Sequence, residues 1–274
     1  YVWSETAFRG IDSASGMIKT EGKSAGIYGA GARVRFWNLP ELIDQPGEYC
    51  IYTPGKCAYF YPPDESIIHD LYVTKLKTPI ISAEDAENII FEGITVENSA
   101  ETGIFINKST NIEFKNCVVK NIGGTGIKVR QGKNVKISDS TVKDIGCYGI
   151  MLSYGGVAKT LTSSGNVVEN CDVYSVGRQS AVGELGIVLQ SETGATVRNC
   201  RVHNTPHDAI RLKYDDTIST IEKNEVYNAV NDTYDAGAIY CGASYFEGVG
   251  SVFKNNYIHD IRLSEDARGG AVVG

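Results

Sequence analysis

The 274-residue sequence lacks the features of several common protein classes. Its apolar runs fall well short of the ~20 residues that a membrane-spanning helix needs, so no membrane span is expected. The net charge of −7 argues against nucleic acid as a partner, because nucleic-acid-binding domains carry a basic surface. The seven cysteines and four histidines do not show the spacing of a zinc site. No metal site is therefore expected from these residue types.

The sequence does contain an internal repeat. Seven stretches align with apolar residues at their first and sixth positions and with Asn, Asp or Ser at the eighth. They are Phe91–Asn98, Phe114–Asn121, Ile137–Asp144, Val168–Ser175, Val197–Asn204, Ile221–Asn228 and Phe253–Asp260. A small residue and a β-branched residue follow each stretch, at Gly103-Ile104, Gly126-Ile127, Gly149-Ile150, Gly186-Ile187, Ala209-Ile210, Ala238-Ile239 and Ala271-Val272. A repeat of this kind indicates stacked coils.

The length of the repeat indicates which kind of coil is stacked. The steps from Gly103 to Gly126 and from Gly126 to Gly149 are 23 residues, enough for three short strands and their turns. Ile and Val alternate with other residues, as in Ile127–Val129, which favours pleated strands. We therefore predict an all-β fold, a right-handed parallel β-helix of about seven coils. Adjacent coils would hydrogen-bond to each other at a spacing of about 4.8 Å.

Two further columns of the repeat have predicted roles. The Asn, Asp and Ser column is expected to form a polar ladder whose side chains satisfy backbone groups in the turns, or one another along the stack. An inward column comprises Ile94, Cys117, Ser140, Cys171, Cys200, Asn224 and Asn256. Cys171 and Cys200 are expected to be stacked free thiols on adjacent coils. Cys50 and Cys57, which flank Pro54-Gly55, are better placed to form a disulfide.

Residues 1–80 do not share the 23-residue spacing. They contain β-rich runs at Ala32–Phe36 and Tyr49–Tyr52. The predicted organisation is a β-rich N-terminal cap over residues 1–80, which shields the first coil, and a parallel β-helix over residues 81–274. The last coil is expected to be truncated at the C-terminus.

The outer face of one sheet is the predicted binding surface. Because Ile127 and Val129 are expected to point inward, Gly126 and Lys128 are expected to point outward, as are their equivalents in the other coils. The small residues would then form the floor of a groove lined by two more outward columns. These columns are Phe105, Lys128, Met151, Val188, Arg211 and Tyr240, and Asn107, Arg130, Ser153, Gln190, Lys213 and Gly242. Such a groove suits a polysaccharide. The alternative is that the small residues merely follow a tight turn.

Longer coils support the same location for the groove. Extra residues beyond the minimal repeat fall in Tyr154–Ser164, Arg178–Leu185, Asn231–Gly237 and Ala243–Gly250. Insertions in solenoids gather on one face, often the binding face, and loops on a rigid scaffold carry many catalytic residues. The four insertions are expected to line both sides of the groove.

Acidic residues in these loops are the catalytic candidates. Asp235 and Asp208 lie just before the small residues of two adjacent coils. They are predicted to form the pair of carboxyl groups that glycosidases hold about 5–9.5 Å apart. Glu184, one coil earlier, is a third candidate, and His207 is expected to orient a carboxylate or bind a sugar hydroxyl. The other predicted substrate-binding residues are Arg211, Tyr240, Lys128, Gln190 and Lys213.

Several segments resemble one family. Asp235–Tyr240, followed by Asn255–Asp260, is similar to a segment shared by right-handed β-helix glycoside hydrolases, most closely the bacterial α-L-fucosidase and xylanase type within the pectate-lyase-like superfamily. Further similar segments are Tyr59–Pro63, Lys159–Thr162, Gly165–Asn170 and Pro206–Ile210. Together they extend over residues 33–274, which is specific for the fold and broad group and weaker for the sugar.

The resemblance implies a bacterial glycoside hydrolase, secreted, periplasmic or on the cell surface, that degrades a plant or microbial polysaccharide without a cofactor. It implies that Asp235 is a catalytic carboxylate, because this residue matches the Asp that opens the family motif. Family members carry a second acidic segment after the next coil, and the present sequence ends at Gly274 where that segment begins. Weak or absent hydrolysis is therefore expected. The role of Asp208 rests on spacing alone.

Two other function classes remain open. A polysaccharide lyase would use cations to stabilise an enolate, and Lys128, Arg130, Arg211 and Lys213 form a basic stripe suited to this. A lyase would also accommodate Ca²⁺ on oxygen ligands. The acidic residues available for such a site are Asp208, Asp215, Asp216 and Asp235. A non-catalytic carbohydrate-binding solenoid would use the same groove without turnover.

Overall fold

The structure is a computed structural model that describes residues 7–21, 36–179, 183, 185–214, 216–233, 236–242 and 249–261. Its contacts divide the chain into two compact units, Tyr1–Val73 and Thr74–Gly274. The role of the N-terminal region as a cap stays a prediction. Among the described residues, no helix combines the length and the apolar character that crossing a bilayer demands.

The first unit contains two antiparallel hairpins and two short 3-10 helices. Its strands are β1 Phe8–Ile11, β2 Ile18–Thr20, β3 Tyr49–Tyr52 and β4 Cys57–Phe60, and its helices are Pro40–Leu42 and Glu65–Asp70. The strands pair as β1 with β2 and β3 with β4. The second helix begins after Asp64, whose side chain accepts a hydrogen bond from the Ser66 N–H at 2.8 Å. The strand predicted at Tyr49–Tyr52 is confirmed. The run predicted at Ala32–Phe36 lies outside the described residues except for Phe36.

In the described part of the second unit, nearly all the regular secondary structure is short strands, which are separated by turns. Their bounds are β5 Ile81–Glu84, β6 Glu87–Glu92, β7 Thr95–Ser99, β8 Ile104–Asn107, β9 Thr110–Lys115, β10 Val118–Ile122, β11 Ile127–Arg130, β12 Lys136–Ser138, β13 Thr141–Ile145, β14 Ile150–Ser153, β15 Val167–Glu169, β16 Asp172–Tyr174, β17 Ile187–Gln190, β18 Thr196–Arg198, β19 Arg201–Thr205, β20 Ile210–Lys213, β21 Thr220–Glu222, β22 Glu225–Ala229, β23 Ile239–Cys241, β24 Val252–Lys254 and β25 Tyr257–His259. A 3-10 helix, Ala158–Thr160, lies between β14 and β15.

Every third strand of the second unit belongs to the same parallel sheet. Sheet A contains β7, β10, β13, β16, β19, β22 and β25; sheet B contains β5, β8, β11, β14, β17, β20 and β23; sheet C contains β6, β9, β12, β15, β18, β21 and β24. Neighbouring strands pair in register, so that Ile127 lies opposite Ile104 on one side and Ile150 on the other. The predicted right-handed parallel β-helix of seven coils is confirmed. The repeat at Ala271-Val272 lies outside the described residues, and β5 supplies a sheet B strand before Gly103.

Alternating side chains of each strand build the core. In β11, Ile127 and Val129 are fully buried, whereas Lys128 is partly exposed and Arg130 is exposed. The same positions in successive coils stack into one continuous apolar cluster. Each buried side chain of this size contributes about 1.5–3 kcal/mol relative to an exposed one. This alternation leaves every second residue of sheet B on its outer face.

The Asn, Asp and Ser column of the repeat meets a backbone requirement. Its members have left-handed φ angles, including 67° at Asn98, 53° at Asn121 and 56° at Asp144. Asn and Asp tolerate this conformation better than most residues other than Gly. A ladder contact of the predicted kind joins the Asn228 side-chain amide, which donates, to the Asn204 side-chain oxygen at 2.5 Å.

None of the seven cysteines, all of which lie in the described part of the chain, forms a disulfide. Cys171 and Cys200 are buried in the inward column, as predicted. Cys50 and Cys57, the pair better placed for a disulfide in the sequence, do not form one. In the β3–β4 hairpin, Cys50 lies opposite Tyr59, and Cys57 lies opposite Tyr52. The two cysteines are therefore diagonal to each other rather than directly opposed.

Candidate functional site

The predicted outward columns of sheet B are present in the structure. Lys128 pairs with Phe105 and Met151, and the same column continues through Val188 and Arg211 and ends at Tyr240. The second column pairs Arg130 with Asn107 and Ser153, and then continues to Gln190 and Lys213. Sheet B therefore places side chains that are far apart in sequence along one face.

The small residues before each sheet B strand do not form the floor of this face. A Cβ atom on Gly126 would lie 2.9 Å from Val142 Cγ1 and 3.3 Å from Ile145 Cδ1, which are core side chains. The equivalent Ala209 and Ala238 are fully buried in the same core. The prediction that this column points outward is wrong, because the turn before each strand breaks the alternation. The small residues instead allow the coils to approach closely.

The middle of the outer face is occupied by an apolar cluster. Met151 and Val188 point outward from sheet B but are only 8% and 1% exposed. They pack with Leu185, which is fully buried, and with Tyr148. Leu185 ends the insertion predicted at Arg178–Leu185, so this insertion does reach the outer face of sheet B. In the first outward column, Lys128 is thereby separated from Arg211 and Tyr240.

Along the chain, each insertion lies directly before or after a strand of sheet B. Arg178–Leu185 and Asn231–Gly237 precede sheet B strands, and Tyr154–Ser164 and Ala243–Gly250 follow them. The prediction that the insertions line both sides of the face stays a prediction. Residues 243–248 and parts of two other insertions lie outside the described residues.

Four cationic side chains on or beside sheet B lie over aromatic rings. The distances from the cation to the ring centroid are 5.8 Å for Lys128 over Phe105, 5.8 Å for Arg130 over Tyr154, 4.4 Å for Arg211 over Tyr240 and 5.2 Å for Lys213 over Tyr214. Such pairs are each worth about 0.5–1 kcal/mol at exposed sites. Within the part of the chain that the structure describes, Arg211 alone among these four cations has a carboxylate within 4.0 Å. The other three retain charge that no described acidic residue neutralises.

Asp208 lies two residues before β20, whose Arg211 side chain lies over the Tyr240 ring of β23. It is fully buried, and its Oδ2 atom accepts a hydrogen bond from Arg211 Nη1 at 3.0 Å. Its Oδ1 atom accepts a hydrogen bond from the Gly237 N–H at 2.8 Å. One carboxylate therefore joins the sheet B strand that carries Arg211 to the segment that leads into the next strand.

Two nitrogens beside Asp208 lack hydrogen-bond partners among the described residues. His207 is 7% exposed, and its Nδ1 atom lies 3.2 Å from Asp208 Oδ2 without the orientation of a hydrogen bond. Arg211 Nε is buried and also makes no hydrogen bond within the described structure. Buried unpaired polar atoms cost about 1–3 kcal/mol. Such a cost is relieved when a ligand supplies the missing acceptor.

The structure brings together some of the sequence-predicted residues. Asp208, His207, Arg211, Tyr240 and Lys213 belong to two adjacent coils, and Gln190, on the preceding strand, donates a hydrogen bond to the Tyr154 hydroxyl at 3.2 Å. Lys128 is three coils away, about 14 Å along the helix axis at the usual strand spacing. Asp235 and Glu184 lie outside the described residues. Their predicted catalytic roles stay predictions.

Calcium ligation also stays a prediction. Asp208 and Asp216 are both fully buried, and Asp216 accepts a hydrogen bond from Ser219 Oγ at 3.2 Å. Asp215 and Asp235 lie outside the described residues. In the remainder, no three His, Cys, Asp or Glu side chains converge as metal ligands would.

Sequence reasoning missed two aromatic residues and one buried acid. Tyr154 and Tyr214 directly follow β14 and β20, with left-handed φ angles of 58° and 62°, and place their rings under cations. The sequence signal for them is a tyrosine that directly follows the second outward residue of a sheet B strand. Glu192, in the turn after β17, is fully buried.

Glu192 is held by neutral donors. Its Oε2 atom accepts from the Gly155 N–H at 2.7 Å, and its Oε1 atom accepts from the Asn166 side-chain amide at 2.8 Å. Burial raises the pKa of this carboxyl group, and hydrogen bonds from Ser164, Gly155 and Asn166 only partly oppose the rise. Asn166 also bonds to the backbone of the previous coil, accepting from the Val135 N–H at 2.9 Å. This network fixes the turns that follow sheet B.

The chain is similar to several solved structures at low sequence identity. The chain is similar to a crystal structure of an alginate lyase from Paenibacillus sp. str. FPU-7, with 14% identity, 71% of this chain and 72% of that chain covered, and a TM-score of 0.48. It is similar to a periplasmic alginate epimerase, with 12% identity, 66% and 47% covered, and a TM-score of 0.47. It is also similar to a crystal structure of pectate lyase Pel9A, with 11% identity, 64% of this chain and 52% of that chain covered, and a TM-score of 0.43. Comparison with curated protein sequences finds no match.

The family comparison covers most of the sequence. The model of the right-handed beta helix region matches residues 57–184 and 185–273. The matched residues include every strand of sheets A, B and C. The chain belongs to the right-handed β-helix family.

Proposed function

We propose that the protein is a carbohydrate-active enzyme that acts on a carboxylated polysaccharide bound along the outer face of sheet B. The observation that supports this most is the set of four cations over aromatic rings, of which Lys128, Arg130 and Lys213 have no carboxylate partner among the described residues. The whole chain has a net charge of −7, so a cationic face is a local feature rather than a consequence of composition.

The geometry of the face suits a polymer with regularly spaced carboxylates. Its side chains repeat along the helix axis at the strand spacing of about 4.8 Å, and an extended chain lies naturally along such a column. Arginine binds carboxylates through two parallel N–H···O bonds, and lysine attracts them as a compact charge. The aromatic rings add apolar surface against which the carbon face of a sugar ring packs.

The reaction best supported is proton abstraction next to the uronate carboxylate, as in a lyase or an epimerase. A cation that neutralises the carboxylate makes the adjacent proton easier to remove, because negative charge develops there in the transition state. Arg211 would supply that charge. The candidate proton-transferring groups are the phenol of Tyr240, whose ring lies under Arg211, and the imidazole of His207, which lies 3.2 Å from Asp208.

Glycoside hydrolysis is the second candidate. It is supported by the similarity of Asp235–Tyr240 to the hydrolase motif, in which Asp235 would be the catalytic carboxylate. The burial of Asp208 and the hydrogen bonds on both of its oxygens favour a positioning role for this residue over direct catalysis. The second carboxyl group of a hydrolase would then come from elsewhere, with Glu184 as the remaining predicted partner.

A polymer of this kind is extracellular, so we also propose that the protein acts in the periplasm or outside a bacterial cell. The test of function is incubation with polyuronates, with the same polymers after reduction of their carboxyl groups, and with xylan. A lyase produces unsaturated ends that absorb ultraviolet light, and a hydrolase produces reducing ends without this absorbance. An epimerase produces neither and instead inverts the configuration of the carbon next to the carboxylate, so binding without any of these changes would indicate a non-catalytic solenoid. Equal binding of the native and carboxyl-reduced polymers would contradict the proposal.

A further inference from the structure

We propose that Asp208 is a positioning residue that holds Arg211 in the orientation required to bind a substrate carboxylate. The proposal rests on the proposed function, because it names the residue pair that gives the sheet B face its preference for carboxylated sugars. Arg211 is the carboxylate-binding residue of the pair, and Asp208 acts through it.

Burial separates the two roles. Asp208 is 0% exposed, so a polysaccharide on the outer face of sheet B does not reach its oxygens. The Arg211 side chain is 21% exposed and lies above it. A buried carboxylate paired with a partly exposed guanidinium fixes the position of the cation while leaving part of it open to a ligand.

The guanidinium group is held from two directions. Asp208 Oδ2 accepts from Nη1 at 3.0 Å, and the Tyr240 ring lies under the guanidinium carbon, 4.4 Å from the ring centroid. A planar guanidinium restrained by both an edge contact and a face contact loses little further freedom when it binds a ligand. Its remaining N–H groups therefore have a defined direction.

The donors open to a carboxylate ligand lie on the exposed part of the Arg211 guanidinium. Asp208 occupies Nη1, whereas Nε on the opposite edge is buried and makes no hydrogen bond to any described residue. A carboxylate on the outer face of sheet B therefore meets the remaining Nη donors of Arg211, and hydrogen bonds between two charged groups are among the strong ones. The Nδ1 atom of His207, in a side chain that is 7% exposed, lies 3.2 Å from the same Asp208 Oδ2 atom.

Asp208 also fixes the backbone on the far side of the site. Its Oδ1 atom accepts from the Gly237 N–H at 2.8 Å, across 29 residues of sequence. Gly237 leads into β23, which carries Tyr240. Asp208 therefore holds both the guanidinium and the strand whose aromatic ring supports it.

The experiment compares the binding of a polyuronate with that of its carboxyl-reduced form, for the whole chain and its variants. Asp208→Asn retains an acceptor for the Gly237 N–H and replaces the oxygen facing Arg211 by an amide nitrogen. We expect its affinity for the polyuronate to fall at least about tenfold. The affinity for the reduced polymer is expected to stay within about twofold, because no carboxylate is involved. Arg211→Lys keeps the charge but loses the fork, and it is expected to show the same selective loss.

Asp172→Asn is the matched control, because it breaks another Asp–Arg contact, between Asp172 and Arg201 at 2.6 Å, on the outer face of sheet A. It is expected to leave both affinities unchanged. If Asp208→Asn fails to fold, Arg211→Lys decides the outcome. Wild-type selectivity for the polyuronate that persists in the folded variants would overturn the role of Asp208 and Arg211. Wild-type protein that binds the two polymers equally would instead contradict the proposed function.

Discussion

The backbone oxygen of Gly149 lies 2.6 Å from the position that a Cβ atom on Gly126 would occupy. The same geometry recurs one coil later, where a Cβ atom on Gly149 would lie 2.6 Å from the oxygen of Gly186. Real Cβ atoms do not approach backbone oxygens so closely, and a backbone atom cannot rotate away as a side chain does. At Gly126 and Gly149 the spacing of the coils therefore requires glycine, whereas the later coils carry Ala209 and Ala238 at the equivalent position.

Replacement of Gly126 by Ala is expected to destabilise the β-helix by about 1–3 kcal/mol, because the coil must shift to admit the methyl group. Urea denaturation followed by circular dichroism measures the change. Thr95→Ala, at an exposed position of sheet A, is the control and is expected to cost less than about 0.5 kcal/mol. Unchanged stability of Gly126→Ala would show that the coils separate more readily than the structure indicates.

The same column shows how far the sequence predicts the structure. The 23-residue repeat and the alternation at Ile127 and Val129 are sufficient to predict the fold, because stacking in register is the arrangement that buries every repeat in the same way. The direction of Gly126 could not be predicted by extending the alternation. It is set by the turn before the strand, and turns do not follow the period of two.

The site was harder to predict than the fold, because its contacts join distant residues. Sequence spacing places Asp208 near the face of sheet B but does not reveal that Gly237, 29 residues later, donates to it. Nor does the pattern reveal that Leu185 buries the outward side chains of Met151 and Val188. These features depend on the conformations of the longer loops, and the repeat contains no information on them.

Glu192 provides a prediction for pH dependence. Burial raises the pKa of its carboxyl group in the folded protein, so the unfolded chain loses the proton first as pH rises. The contribution of Glu192 to stability is therefore greatest at acid pH and falls as pH rises from the unfolded pKa through the folded one. Glu192→Gln removes this titration. Its stability relative to wild type is expected to improve between pH 4 and pH 8 by on the order of 1 kcal/mol for each unit by which the pKa is raised.

The measurement is urea denaturation of both proteins across that pH range. At acid pH, Glu192→Gln is expected to lower the free energy of unfolding. Its NH2 group replaces a carboxyl oxygen that accepts a hydrogen bond, so that this group faces the donor of Gly155 or Asn166 without an acceptor. Only the pH-dependent part reports the titration. A difference between the two proteins that does not change with pH would contradict the raised pKa.

Glu169 is expected to show the opposite sign. It contacts Lys136 at 2.9 Å and Arg198 at 2.5 Å, and the hydrogen bond from Lys136, followed by that from Arg198, lowers the pKa of this carboxyl group. A lowered folded pKa stabilises the protein above the unfolded pKa, and the contribution is lost as pH falls through the folded value. Glu169→Gln is thus expected to cost about 1 kcal/mol at neutral pH and less at acid pH. The same pH series of urea denaturation measures it, and a cost that grows on acidification would rule out this assignment.

Salt dependence tests the cationic face at the end far from Arg211. Lys128 and Arg130 lie over Phe105 and Tyr154 and have no carboxylate partner in the described structure, so their charge is available to an anionic polymer. Salt weakens such an attraction because the Debye length shrinks from about 10 Å at 0.1 M to about 3 Å at 1 M. The double variant Lys128→Ala and Arg130→Ala is expected to bind a polyuronate at least about tenfold more weakly at low salt.

Its affinity is also expected to change less with salt than that of the wild type, because two of the attracting charges are gone. Isothermal titration at several salt concentrations measures both effects. Lys120→Ala is the control, since Lys120 lies on sheet A and pairs with Glu97 at 2.9 Å. If the double variant and Lys120→Ala weakened binding equally, the attraction would come from the overall charge of the protein. A loss confined to the double variant would locate the polymer on sheet B across the three coils that separate Lys128 from Arg211.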